Sequence, residues 1–395
     1  MIHWTKLNFF NALNGKLFVN IQDNNFSVIK SDLPTLLQIA AKIRDDTWGK
    51  EITYSRKVFI PLTNMCRDTC SYCTFVKHPS KPDARILTPE QVLFMAKQGE
   101  AHGCKEVLFS LGEKPELRYP EAKKKLALLG YNRMTSYLRD MCELILDKTS
   151  LLPHVNAGTL SNQEIDELKP VSASMGMMLE TITKRLSRKG GPHYACPDKT
   201  PIQRLRTLSR VGNKKVPFTT GLLIGIGETF EERIEALEEI NRIHAKHGNI
   251  QEVIIQNFRK KPDIKMANHP EPTLEAMLRT IAAARIILNP EISLQAPPNL
   301  SDRHIKYIQA GINDWGGISP VTIDFINPEH AWPDIEKLRT SCNKAGYKLN
   351  ERLTVYPKYI KSSERFLNTA VSKKIEKILQ ANIIQKSNSQ EFIKC

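Results

Sequence analysis

Nowhere in the 395 residues does an apolar run approach the roughly 18 residues that a membrane span requires. The opening residues lack a clear small-residue cleavage site, so no export signal is expected. No dinucleotide or phosphate-loop fingerprint is complete: Gly225 and Gly227 have no third glycine and no following Lys-Ser/Thr pair. Low-complexity tracts and nucleic-acid module motifs are also missing. The eight cysteines form no paired framework, which suits a reducing cytoplasm rather than a disulfide scaffold.

Hydrophobic residues make up 41% of the chain, enough for a sizeable core. The net charge is +15, from 57 basic and 42 acidic residues. These charges are spread along the chain in modest runs, so a solvated basic surface is expected rather than a nucleic-acid platform.

Cys66, Cys70 and Cys73 stand out within one polar loop. Thiolates ligate iron–sulfur clusters and zinc. A closed structural site needs four ligands, and the next cysteine is the distant Cys104. Three thiolates on a four-iron cluster leave one iron open, which turns an electron carrier into a possible catalyst. Zinc completed by His78 is the competing assignment, and a basic zinc-bearing nucleic-acid module is the non-enzymatic alternative.

The rest of the pattern alternates between short apolar strands and capped helices. Strands are expected at Val58–Leu62, Glu106–Leu111, His154–Asn156, Val171–Met175, Val216–Ile224, Val253–Gln256 and Ile292–Leu294. Thr88 with Gln91, and Thr229 with Glu232, read as capping boxes that open helices. Helices are also expected at 134–148, 162–168, 200–211 and 273–288. Six or seven strand–helix repeats imply parallel strands and helical crossovers, in a partial or closed (β/α) TIM-like barrel. A doubly wound open sheet is the alternative. In barrels, reactive residues follow the carboxyl ends of strands, and the cysteine loop follows the first strand. The expected organisation is a helical N-terminal extension over 1–50, with pieces at Asn8–Asn14 and Asp32–Arg44. The barrel core follows over 51–300, a barrel-closing segment over 301–360, and a Lys-rich helical tail over 361–395.

The spacing Cys66-x3-Cys70-x2-Cys73 resembles the signature of the radical S-adenosylmethionine (SAM) superfamily. By that resemblance, one [4Fe–4S] cluster sits on the three thiolates and its open iron chelates SAM. A one-electron reduction then yields a 5′-deoxyadenosyl radical. The runs Thr53–Asn64, Phe109–Glu116, Ser174–Thr181, Pro217–Thr229, Gln251–Arg259 and Asn313–Pro320 resemble the ring-closing deazaflavin synthases, the CofG half of FO synthase.

The resemblance implies a substrate that joins a 4-hydroxybenzyl group to a ribitylimino-dihydrouracil. It also implies ammonia loss, a CofH-like partner subunit and a reducing electron donor, with no nucleic acid or membrane partner. The alternative is the partner's tyrosine-cleaving activity, or another radical SAM enzyme of cofactor biosynthesis. Tyr72, Gly112, Glu113, Ser174, Gly225 and Glu228 are expected to contact the cofactor. Glu180, His193, Asn257 and Trp315 are expected at the substrate. For three of them a structural role competes: a salt bridge from Glu180 to Lys184 or Arg185, a surface place for His193, and a core-capping indole for Trp315. Asp314 and Trp315 read as part of a glycine-rich turn, and Cys196 as a small filler.

Overall fold

The computed structural model describes residues 28–391, with side chains to 381. The expected helical piece at Asn8–Asn14 lies outside the described residues.

Chain order begins with helix α1 (Leu33–Trp48), capped by the Asp32 carboxylate on Thr35 N. It packs in the outer helical layer, where the buried Arg44 donates to Ile308 O and Ile312 O. Strand β1 (Glu51–Pro61) follows, then α2 (Pro89–Ala101), β2 (Glu106–Ser110), α3 (Pro120–Leu128), α4 (Met134–Lys148), β3 (Leu152–Asn156) and α5 (Asn162–Leu168). Next come β4 (Ser174–Gly176), α6 (Pro201–Asn213), β5 (Phe218–Ile224), α7 (Phe230–His247), β6 (Ile250–Asn257), α8 (Leu274–Ile287), β7 (Ser293–Gln295), α9 (His304–Gln309) and β8 (Asp314–Ile318). Both expected capping boxes are formed, Thr88 with Gln91 and Thr229 with Glu232.

Strands β1 to β8 pair in sequence order, all parallel, and β8 returns to β1. The sheet is therefore a closed eight-stranded barrel, not an open doubly wound sheet. The strand at Asp314–Ile318 corrects the expected glycine-rich turn. Gly316 sits at φ +70 where a Cβ would strike the Gln295 amide, and a Cβ on Gly317 would meet the Lys57 side chain. Glycine here lets a strand pass large inward side chains, so its turn signal misleads.

A ninth strand, β9 (Lys348–Glu351), pairs with the first residues of β1. It follows α10 (Ile335–Lys344) and delivers residues 352–356 beneath the barrel. There Arg352 bonds Asp314 at 2.6 Å and Glu252 at 3.2 Å, while Thr354 Oγ1 meets Ser174 Oγ at 2.9 Å. The short helices α11 (Pro357–Lys361) and α12 (Ser363–Phe366) lead to α13 (Thr369–Glu391). Val371, Ile375 and Ile378 of α13 lie on one helical face and bury with Tyr356, Tyr359, Leu152 and Ala173 in a second small core. Lys374 donates to Leu146 O at 2.5 Å, satisfying a carbonyl at the end of α4. The C-terminal residues thus form the barrel floor.

Ser174 belongs to this floor. Its hydroxyl holds His154 Nδ1 at 2.7 Å, which corrects its expected place at the cofactor. Burial, with Lys57 and Arg352 nearby, holds His154 down at about 4 despite the opposing pull of Glu106. In the unfolded chain an exposed histidine takes its proton near pH 6.5. Protonation therefore favours unfolding as pH falls from about 6.5 towards 4. His154→Asn, which keeps an atom to meet Ser174, removes that term. Denaturant midpoints measured between pH 7 and 4.5 are expected to fall more steeply in wild type than in the variant.

Candidate active site

The hydrogen-bond register of β1 and β2 continues past the strand ends and fixes the cysteine loop. Leu62 N bonds Ser110 O at 2.9 Å, Gly112 N bonds Thr63 O at 2.8 Å and Arg67 N bonds Glu113 O at 2.9 Å. Glu113 N then donates to Cys66 Sγ at 3.1 Å, and Asp68 N donates to the same sulfur at 3.4 Å. This approach is possible only without a side chain at position 112. A Cβ there would lie 2.0 Å from Met65 O and 2.8 Å from Cys66 Cβ.

Cys66, Cys70 and Cys73 line one cavity of about 250 Å³ at the carboxyl ends of the strands. All three are free thiols. Burial pushes the Cys66 thiol up, with Asp68 adding to it, and pushes Cys73 up as well. Buried thiols of this kind stay protonated unless a metal compensates the thiolate charge. Cys70 is lowered chiefly by a hydrogen bond with Cys196, against its burial. Cys196 Sγ also accepts from Thr69 N at 3.3 Å, so this buried residue braces the loop rather than merely filling space. His78 is exposed, bonds Ser80 and lies outside the cavity, which removes it as a fourth ligand. Three convergent soft donors and supporting backbone N–H groups fit an iron–sulfur cluster with one open iron.

Tyr72, Gly112, Glu113, Glu180 and Asn257 also line this cavity. The Asn257 Oδ1 atom is buried without a hydrogen-bond partner, leaving an acceptor for a ligand. Glu180 sits at φ +67, a strained conformation for a side-chain-bearing residue. It is held by Glu180 N to Gly221 O and by Lys199 Nζ at 2.6 Å. Lys199, not Lys184 or Arg185, is its partner. Burial raises the Glu180 carboxyl, but Lys199 and Arg204 outweigh this and keep it below its ordinary value.

Other expected residues stand elsewhere. His193 is buried, not on the surface, with Nε2 3.0 Å from the Tyr72 hydroxyl. Burial and Lys199 hold it down to about 3, so it is neutral and supports Tyr72 from behind. Glu228 turns onto its own loop, accepting from Gly225 N at 2.7 Å and Ile226 N at 2.9 Å and pairing with Arg233. Gly225, at φ +88, is needed because Pro272 fills its Cβ position. Neither residue reaches the cavity, since Glu228 ties the loop to itself. Trp315 is fully buried, its indole N–H 3.5 Å from Cys342 Sγ and its ring edge-on to His304. The indole is absent from the cysteine cavity and lines the chamber beneath it, packed against His304 and Cys342.

Several residues of the site escaped the sequence. The buried Arg204 and Lys261 and the partly buried Lys199 bring three cations to the cavity wall. Arg204 donates to Asp198 O and Met178 O and lies 3.6 Å from Glu113. Glu113 is raised by burial, with Arg204 opposing and Asp198 and Asp68 adding to the rise. Asp198 in turn pairs with Arg67 of the cysteine loop. No local spacing singles out these three among 57 basic residues. Their role follows from long-range packing alone.

Residues 60–240 match the sequence model of the Radical SAM superfamily. The 7,8-didemethyl-8-hydroxy-5-deazariboflavin synthase of Methanopyrus kandleri is 48% identical over 311 residues, covering 78% of this chain and 93% of that one. The chain belongs to the radical SAM superfamily, in its deazaflavin-synthase family. The FO synthase of Streptomyces avermitilis is 49% identical over 348 residues, 85% of this chain. This chain spans about 40% of the length of that relative. Among solved structures, methylornithine synthase (PylB) aligns with TM-score 0.65 at 17% identity, over 84% of this chain and 95% of that one. The maturase HydG from Carboxydothermus hydrogenoformans aligns with TM-score 0.67 at 16% identity, over 84% of this chain and 76% of that one. These two share the fold. Family membership implies a [4Fe–4S] cluster and SAM, which the three-thiol cavity suits.

Gly112→Ala is expected to displace the Met65–Cys66 backbone and reduce cluster content at least about ten-fold after anaerobic reconstitution. Iron and sulfide analysis reads this loss, while far-ultraviolet circular dichroism is expected to stay near wild type. A normally loaded Gly112→Ala variant would show that the close approach is dispensable.

Proposed function

We propose that this chain is the ring-closing subunit of FO synthase. The substrate is 5-amino-5-(4-hydroxybenzyl)-6-(D-ribitylimino)-5,6-dihydrouracil. The products are 7,8-didemethyl-8-hydroxy-5-deazariboflavin, ammonia, 5′-deoxyadenosine and methionine. The observation that carries this reading is the near full-length likeness to a protein named for that product. The cavity chemistry supports it.

Cys66, Cys70 and Cys73 would hold a single [4Fe–4S] cluster. Held there and reduced by one electron, the cluster would supply the reductive cleavage of SAM that provides the hydrogen-abstracting radical. The protein's part is to bind, orient and exclude water. Tyr72, fixed by His193, offers an aromatic wall, and Asn257 offers a free acceptor suited to a nucleoside. Glu180 is a preorganised carboxylate for hydroxyl groups, its conformation fixed by Lys199. Lys261, buried and lowered by that burial despite Glu329, offers an ammonium to an anionic group.

In this reading the adduct comes from a CofH-like partner, and a reducing donor supplies the electron in the cytoplasm. Among the described residues no helix is long and apolar enough to cross a membrane.

Reduced, cluster-loaded protein supplied with adduct and SAM is expected to release 5′-deoxyadenosine together with a fluorescent deazaflavin. Chromatography with fluorescence detection reads both, and Cys66→Ala is expected to release neither. Consumption of tyrosine by this chain without a partner, and no use of the adduct, would overturn the assignment.

A further inference from the structure

Beneath the cysteine cavity the barrel holds a second chamber of about 190 Å³. The two share Ser110, Asn156, Met177, Met178 and Gln256 in their walls, so they lie directly against one another. The lower chamber differs from the upper one in its charge.

Its floor is ionic but internally balanced. Lys57 Nζ lies 2.8 Å from Glu106, which is buried yet held below its ordinary value by Lys57. Arg352 is shared between Asp314 and Glu252 at 2.6 Å and 3.2 Å. Burial pushes Glu252 up to about 7, Arg352 opposing and Asp314 adding, so part of its population is neutral. His154 is neutral; Ser174 takes its Nδ1, which leaves Nε2, beside Gly176 in the chamber wall, to meet a ligand. An ionic ligand here meets opposing charges at once and gains no unpaired counter-ion for its lost hydration. A neutral ligand with several hydroxyls meets donors and acceptors together: the Lys57 and Arg352 N–H groups, the Glu252 carboxyl and the amides of Gln295 and Asn299.

Higher in the same chamber the wall changes character. Phe59 and Trp332 stack with ring centroids 5.1 Å apart and planes within 7°. With Leu108 and Met177 they make an apolar slot suited to a flat ring.

We propose that this chamber binds the ribityl chain of the substrate, hydroxyls against His154, Glu252 and Arg352, with the pyrimidine ring higher beside Phe59 and Trp332. The inference rests on the ring-closing reading above and adds an orientation to it. The polyol points away from the cysteines, and the benzyl group points towards them.

The test is a fluorescence titration of anaerobic, cluster-loaded protein with two ligands. One is the ribityl deazaflavin product. The other is the same ring carrying a methyl group in place of the ribityl chain. Wild type is expected to bind the ribityl form at least about ten-fold more tightly, because hydroxyl-reading sites discriminate strongly. Glu252→Gln, which retains the floor's volume, and His154→Asn, which keeps a polar atom towards Ser174, are expected to reduce that ratio to about three-fold or less. Affinity for the methyl ligand is expected to hold in both variants, which reports that the ring slot is intact. Equal affinity of wild type for the two ligands would overturn the proposal. So would equal weakening of both ligands by the variants, or no binding of either. Adduct turnover measured on the same preparation separates the two inferences. Turnover without a ribityl preference removes the orientation alone, whereas a ribityl preference without turnover supports the chamber and removes the ring-closing reading.

Discussion

The site depends on two backbone strands that continue to pair after their sheet has ended. From Leu62 to Cys66 the chain stays in hydrogen-bond register with Ser110 to Glu113. Gly112 makes that register possible, because its missing side chain is where Met65 and Cys66 run. One thiol is thereby fixed by the barrel rather than by its own loop. Cys70 and Cys73 follow from that anchor, braced by Cys196 and by the Arg67–Asp198 pair. A rigid strand end is a better platform for a reactive centre than a free loop, since its hydrogen bonds hold the backbone geometry.

Charge divides the interior into two regions. Near the cysteines, Lys199, Arg204 and Lys261 face a cavity that would contain thiolates and an acidic ligand group. These cations, offset in the same wall by Asp68, Glu113 and Glu180, lower the cost of burying thiolate charge there. In the lower chamber Lys57 faces Glu106 and Arg352 faces both Asp314 and Glu252, while burial pushes His154 and Glu252 towards their neutral forms. Closure by β9 and residues 352–356 makes this possible, because Arg352 supplies the cation that Asp314 and Glu252 share. The C-terminal residues therefore shape the chemistry of the barrel interior as well as its stability. The apolar face of α13 holds them in place, and burying each large side chain there contributes about 1.5–3 kcal/mol.

Much of this was legible in the sequence where a signal was local. The capping boxes at Thr88 and Thr229 marked helix starts, and the apolar runs marked β2, β5 and β6. The cysteine spacing placed the reactive loop. Signals that depend on distant packing were not legible. The Asp314–Ile318 strand was hidden by two glycines whose purpose is to clear Gln295 and Lys57. Glu228 looked available to a ligand, yet it satisfies two N–H groups of its own turn. Ser174 points to the floor and Trp315 packs on Cys342 and His304 away from the cysteine cavity, which alternation along a short strand does not disclose. Lys199 owes its place to Glu180, a partner 19 residues away held in a conformation rare for its type, and no local pattern links the two.

The central claim is a cluster held by three thiols with one iron left for SAM. The direct measurement is electron–nuclear double resonance on the reduced protein, with SAM carrying nitrogen-15 in its amino group. The account predicts a nitrogen-15 hyperfine doublet at the cluster, replaced by a nitrogen-14 pattern when the label is omitted. A fully assembled cluster in protein saturated with SAM, showing no such coupling, would contradict it.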